Sequence, residues 1–195
     1  MIIGITGGSG AGKTTLLDCI RQKGGLVLDC DAIYHQLLQT DTAMLDAIET
    51  RFPGVVEKGR LNRKKLGSIV FSDPAALADL NRITHAAVKQ EVLRLLADAP
   101  ALAAIDAIGL FEGNLAELCN VTVAVTAPAE LRIARLMARD GITEEYARSR
   151  IQAQHPNDWF RQRCDHVLEN DGKFDAFATK CIAFLRQLGI MEEKP

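Results

Sequence analysis

"GGSGAGKT", Gly7 to Thr14, fits the spacing G-x-x-x-x-G-K-[ST]. It follows a β-rich run, Met1 to Thr6, and opens a stretch of helical character, Thr14 to Arg21, so it reads as a strand-to-helix turn. Glycines let backbone N–H groups turn inward around phosphate oxygens, and a helix N-terminus adds partial positive charge. Gly8, Ser9, Gly10, Ala11 and Gly12 are therefore expected to cradle a nucleotide's phosphates, with Thr15 just inside the helix. Lys13 is expected to reach the β and γ phosphates, and the Thr14 hydroxyl to ligate Mg²⁺. A ligand-free glycine turn would leave the Lys-Thr pair unexplained.

The pattern spreads outward from that turn. "LVL" at Leu26 reads as a second buried strand. "ALAAIDAI", Ala101 to Ile108, and "NVTVAVTAP", Asn120 to Pro128, have strand length, and "HVLEN", His166 to Asn170, is a last short strand. Helical spacing runs from Ala32 to about Ala99, broken at "FPGVVEKGRLN" and capped again at "SDP", Ser72 to Pro74. A proline-started helix carries Arg132, Arg135 and Arg139, and "ITEEYARSRIQAQ" opens on a Thr143 cap. An amphipathic helix follows to about Leu188, and the tail "MEEKP" is expected to be solvated. Strands alternating with helices predict an α/β protein, a parallel sheet covered on both faces. The helical section between the second and third strands is too long for a simple crossover, so an inserted lobe is expected over roughly Ile33 to Ala97.

Composition bounds the function. With 195 residues, 48% hydrophobic, the chain can fill one core and carry an insertion. A net charge of −2 makes no case for a nucleic-acid or membrane partner, and no apolar run approaches a membrane span. The opening "MIIGITGG" has no basic n-region or cleavable apolar stretch, so a cytoplasmic protein is expected. Cys19, Cys30, Cys119, Cys164 and Cys181 are scattered and odd in number, which suits small buried hydrophobes in a reducing compartment rather than a zinc site.

"LVLDCDAIYH", Leu26 to His35, ends a strand in two acids, Asp29 and Asp31. Asp31 could cap a helix starting near Ala32. Alternatively, one carboxylate accepts a proton from a substrate. "DAIG", Asp106 to Gly109, matches the D-x-x-G of GTPase switches and sits where a Walker-B acid should, but guanine-reading N-K-x-D is absent. A helical insertion and a late arginine-rich helix suit a small-molecule kinase using ATP better than a switch.

In order along the chain, "IGITGGSGAGKTT", "LVLDCDAIYH", "GRLNRKKLGSIVF", "LNRITHAAV", "GLFE", "RLMARDGITEEYARSRIQAQ" and "CDHVLEN" resemble the elements of the dephospho-CoA kinase family. That family phosphorylates the ribose 3′-hydroxyl of dephospho-CoA with ATP, the last step of coenzyme A synthesis. The chain departs from the pattern at Ala86, where proline usually follows His, and at Ile108-Gly109-Leu110 before "FE". By ungapped count from Gln154, a lid arginine falls on Phe160, with Arg161 beside it.

The resemblance implies a three-layer α/β/α P-loop NTPase fold. It divides the chain into a core domain (1–32, 98–137 and 159–195), a helical acceptor lobe (33–97) and a lid (138–158). It makes Asp31 the catalytic base and gives Asp29 a supporting role at the acceptor or the metal. Arg63 and His85 are expected to bind the acceptor, with Lys64 and Lys65 as readily ordinary surface charge. Glu112 would order Mg²⁺-bound water or the acceptor, Arg139 would reach the ATP phosphates as the lid closes, and Asn170 would hydrogen-bond adenine. The partners implied are ATP, Mg²⁺ and dephospho-CoA, for a monomer or weak oligomer. The rival readings are another small-molecule kinase, acting on a nucleoside monophosphate or a metabolite alcohol, and a non-kinase nucleotide-dependent switch.

Overall fold

The computed structural model describes residues 1–190; the "MEEKP" tail lies outside the described residues. Five parallel strands form the central sheet: β1 (Ile2–Thr6), β2 (Leu26–Asp29), β5 (Ala103–Asp106), β6 (Val121–Thr126) and β7 (His166–Glu169), in the order β2-β5-β1-β6-β7. The chain leaves β1 in the middle and builds outward on both sides, so the crevice at the C-terminal end of β1 is the switch point where ligands of such sheets bind.

Side chains alternate across the strands and divide the interior in two. Ile3 and Ile5 of β1, Ala104 of β5, and Val123 and Val125 of β6 point to one face. There they meet α1 (Lys13–Gln22) through Leu16, Leu17 and Ile20, and α9 (Phe174–Gln187) through Phe177, Cys181 and Leu185. On the other face Leu28 and Ile105 meet α2 (Cys30–Thr40), α3 (Thr42–Arg51) and α5 (Pro74–Ala97). Each fully buried Ile or Leu of these layers contributes about 1.5–3 kcal/mol.

The insertion packs directly on the sheet. Ile33, Leu37, Leu45, Ile48, Leu66, Val88 and Val92 share one continuous cluster with Leu28, Ile105 and Leu110, so the region builds no separate core. The break predicted at "FPGVVEKGRLN" is a small hairpin, β3 (Val56–Glu57) and β4 (Arg60–Leu61). Lys58 (φ 52°) and Gly59 (φ 74°) make its two-residue turn, the mirror-image geometry that suits hairpins. After α4 (Arg63–Val70), Asp73 caps α5 through the amides of Ala75 and Ala76, and Pro74 opens the helix, as "SDP" predicts.

Beyond β6 come α6 (Ala129–Asp140), α7 (Glu144–Gln152) and α8 (Asn157–Arg161). The Thr143 hydroxyl accepts from the Tyr146 amide and caps α7. Ile133, Leu136 and Ala147 form a small core that joins α7 to α6 alone. No helix among the described residues is long and apolar enough to cross a membrane.

Candidate active site

The loop from β1 to α1 wraps the switch point. Gly12 takes a left-handed conformation (φ 99°), and a Cβ there would lie 2.3 Å from Nδ2 of Asn170. A Cβ on Gly8 would lie 2.1 Å from Nη2 of Arg132, so a side chain there would have to displace the guanidinium. No side chain caps the first amides of α1, which leaves them to an anion. Ser9, Gly10, Gly12, Lys13 and Thr14 line a cleft of about 650 Å³. Gly8 and Ala11 are buried behind it, bonded to each other from the Ala11 amide to the Gly8 carbonyl at 3.1 Å, and Thr15 is half-buried in the first turn of α1.

Three acids share the cleft. Asp29 ends β2 and Asp106 ends the neighbouring β5, and the strand register sets them opposite each other. Asp31 lies one residue into α2. The capping role expected of Asp31 belongs to Asp29, because α2 starts at Cys30: Oδ1 of Asp29 accepts the Ala32 amide at 3.0 Å. Asp31 is left exposed and lines the cleft. Burial pushes the Asp106 carboxyl up to about 6; nearby Lys13 opposes the rise, while Asp29 and Asp31 add to it.

A second pocket, of about 260 Å³, opens beside the first and is lined by Asp31, Tyr34, Asn81, Thr84, His85 and Ile108 among others. Asp31 and Ile108 line both. Nδ1 of His85 is 3.2 Å from the Glu112 carbonyl; a carbonyl only accepts, so Nδ1 donates and Nε2 is left free. Arg63 sits at the start of α4 and lines neither cavity, though its charge acts on Tyr34, which does line the pocket. Lys65 is structural, donating to the Gly54 carbonyl at 2.6 Å. Glu112 is turned to the segment between α7 and α8: its Oε1 accepts from Nε2 of His155 at 2.8 Å, and the His155 ring stacks on Trp159 with centroids 3.9 Å apart.

Asn170 is placed differently from expectation. It is 3% exposed, its Nδ2 donates to the Ala11 carbonyl at 2.9 Å, and its Oδ1 accepts from Arg135 at 3.0 Å. Its side chain therefore braces the glycine-rich loop, with both amide atoms engaged by protein. Arg139 lines the cleft, but both Arg139 and Arg150 are bound to Asp140, whose carboxyl they hold down at about 2. Phe160 is fully buried and Arg161 pairs with Glu169, so Phe160 supplies no lid cation. Sequence reasoning passed over Arg150, Gln154 and the His155–Trp159 stack. Gln154 bonds Ser9 across 145 positions of chain, and no local pattern carries such a contact.

Sheet order, phosphate loop and a cleft opening onto a second pocket define a P-loop kinase. In fold alone, a shikimate kinase from Bacteroides thetaiotaomicron is similar, with a TM-score of 0.54 at 18% identity, covering 98% of this chain and 99% of that one. The family model described as dephospho-CoA kinase matches residues 1–176. A Deinococcus radiodurans dephospho-CoA kinase is 39% identical over 192 residues, covering 96% of this chain and 92% of its own. A crystal structure from Thermus thermophilus superposes with a TM-score of 0.80 at 35% identity, covering 96% of this chain and 97% of that one. The chain belongs to the dephospho-CoA kinase family.

Proposed function

We propose that this kinase transfers the γ-phosphoryl group of ATP to the ribose 3′-hydroxyl of dephospho-CoA, giving coenzyme A. The observation that carries the reading is the position of Asp31 on the seam between the phosphate cleft and the adjoining pocket. A hydroxyl presented from the pocket meets that carboxylate at the edge of the cleft where the γ phosphate ends.

Phosphoryl transfer asks a protein mainly for alignment and charge neutralisation. Lys13, held in place by the Gly7 carbonyl at 2.9 Å, supplies a cation at the β and γ phosphates. Asp31 accepts the acceptor's proton, and Asp29 fixes Asp31 by capping its helix. Arg135, Arg139 and Arg150 line the cleft wall, the last two sharing Asp140 between them. In the pocket, His85 offers Nε2 to the acceptor, and the charge of Arg63 acts on Tyr34. Residues 33–97 form the acceptor lobe and 138–158 the lid.

The site suits Mg²⁺ bound with the nucleotide. Oδ1 of Asp106 is buried without a hydrogen-bond partner at the cleft, and the exposed Thr14 hydroxyl stands at the helix start. Those two residues would hold the ion, with phosphates and water completing its shell, and its charge would offset that of the phosphates. We place the reaction in the cytoplasm; all five cysteines are free thiols. The test is an acceptor screen with radiolabelled ATP against dephospho-CoA, AMP, shikimate and gluconate. Label on dephospho-CoA at its 3′ position is expected; preferential labelling of another acceptor would overturn the assignment.

A further inference from the structure

Arg132 lies on α6, on a helix whose other arginines reach the surface or the cleft, yet it is only 3% exposed. Its Nε donates to the Ser9 carbonyl at 2.9 Å, and its Nη2 donates to Oε1 of Gln154 at 2.8 Å. Gln154 closes the unit: the same Oε1 accepts the Ser9 amide at 2.9 Å, and its Nε2 donates to Oγ of Ser9 at 2.7 Å. The guanidinium fills the space a side chain on Gly8 would need. Its acceptors here are neutral, and burial alone acts on its ionisation, lowering it from the ordinary arginine value.

A buried charge is costly unless an opposite charge or a metal answers it. Arginine does not escape by losing its proton. Ser9 and Gln154 satisfy hydrogen bonds but bring no negative charge. Ser9, whose carbonyl the guanidinium holds, lines the phosphate cleft, so a counter-charge can stand on the far side of that residue. Arg135 differs, because it lines the cleft itself while bonding the Gly10 and Ala11 carbonyls at 3.1 and 3.3 Å.

We propose that Arg132 is a positioning residue of the phosphate site, whose buried guanidinium, paired with no acid among the described residues, braces Ser9 from behind and takes the phosphates of the bound nucleotide as its counter-ion. It holds the Ser9 carbonyl away from the cleft, and its field adds to that of the helix terminus through a water-poor wall. The proposal rests on the reading that the loop binds a nucleotide. It adds that part of the phosphate affinity comes from a cation the phosphates never touch. The nucleotide-free protein then carries an unanswered charge, and ligand binding relieves it.

The test compares the wild type with Arg132→Lys, Arg132→Gln and Arg132→Met, titrated calorimetrically with inorganic pyrophosphate, ADP and adenosine, alongside melting temperatures without ligand. Arg132→Gln and Arg132→Met are expected to weaken pyrophosphate and ADP binding by roughly ten- to a hundredfold. Adenosine binding should hold, and the ligand-free melting temperature should stay level or rise. Arg132→Lys, which keeps the charge, should retain more anion affinity than either. In turnover, KM for ATP should rise while KM for the acceptor stays put. Unchanged pyrophosphate affinity in the Gln and Met variants, together with a lower ligand-free melting temperature, would reduce Arg132 to a structural strut. A Lys variant as weak as the Met variant would show that the fork, not the charge, matters. A wild type that binds neither ADP nor pyrophosphate would instead overturn the nucleotide reading itself.

Discussion

Nζ of Lys13 stands 3.9 Å from Oδ1 of Asp106, inside ion-pair range but too far for a hydrogen bond, and donates to the Gly7 carbonyl at 2.9 Å instead. The lysine is thus steered across the mouth of the phosphate loop and does not fold back onto the acid. The acid in turn keeps an unpartnered oxygen. Pair and gap together leave room for phosphate and metal between two groups that would otherwise neutralise each other.

Asp106 should therefore weaken the ligand-free protein. Its folded carboxyl holds a proton up to about 6, against 3.8 for the ordinary group. Below pH 4 or so both folded and unfolded chains are protonated there. Between roughly pH 4 and 6 the folded chain binds more protons, so stability falls as pH rises, and above 6 the full penalty applies. Asp106→Asn is expected to stabilise the nucleotide-free protein by on the order of 1–3 kcal/mol at pH 7.5 and by nothing near pH 3.5. Urea titrations at the two pH values check this. The same variant should lose Mg²⁺-dependent turnover, and wild-type turnover should climb as pH rises through about 6.

Lys13→Ala should leave the fold intact, because among the described residues Nζ hydrogen-bonds only a loop carbonyl, keeps 3.9 Å from Asp106 and stands apart from the packed faces of α1. Transfer should fall by roughly 10²–10³-fold or more, the range for removing one pre-placed charge-stabilising donor. Single-turnover assays with saturating ATP measure it, and a variant retaining most of its turnover would take Lys13 out of the mechanism.

How much of this was readable depended on distance along the chain. The strand, the phosphate loop and the Thr143 and Asp73 caps are local patterns, and each lies where the residues predict. The hairpin at Lys58-Gly59 was missed because its strands are two residues each and read as a helix break. Asp29 and Asp31 were visible as a pair, yet which one caps depends on α2 starting at Cys30, a one-residue matter. Arg132 looks like any arginine on an amphipathic helix; its burial comes from Ser9 and Gln154, far away in sequence. Asn170 was recognised as special, but only the fold shows its amide turned to Ala11.

Acceptor recognition should separate from ATP recognition. His85 lines the second pocket and not the phosphate cleft, while Arg63 lines neither and acts by its charge on Tyr34, which lines the second pocket. His85→Ala is expected to raise KM for dephospho-CoA about tenfold, the size of one charge-assisted contact. Arg63→Ala should have a smaller effect in the same direction, and ATP affinity should stay within experimental scatter for both. Equal losses for ATP and acceptor would mean that the two cavities are not divided between the substrates.

The two acids after β2 give the sharpest division of roles. Asp29 bonds the Ala32 amide, and Asp31, exposed one residue into α2, faces both cavities. Asp29→Ala removes a cap and should cost about 1 kcal/mol of stability, whereas Asp29→Asn keeps the cap and should cost little. Asp31→Asn removes the proton acceptor while keeping size and shape, and it disturbs no cap. Its melting temperature should match the wild type, and its kcat should fall by roughly 10²–10⁴-fold, the contribution typical of a general base. ATP affinity should not suffer, since a negative charge near the phosphates is lost. Thermal unfolding, ATP titration and single-turnover transfer to dephospho-CoA read the three quantities separately. A normal transfer rate in Asp31→Asn would take Asp31 out of the proton transfer and leave Asp29 with its cap alone.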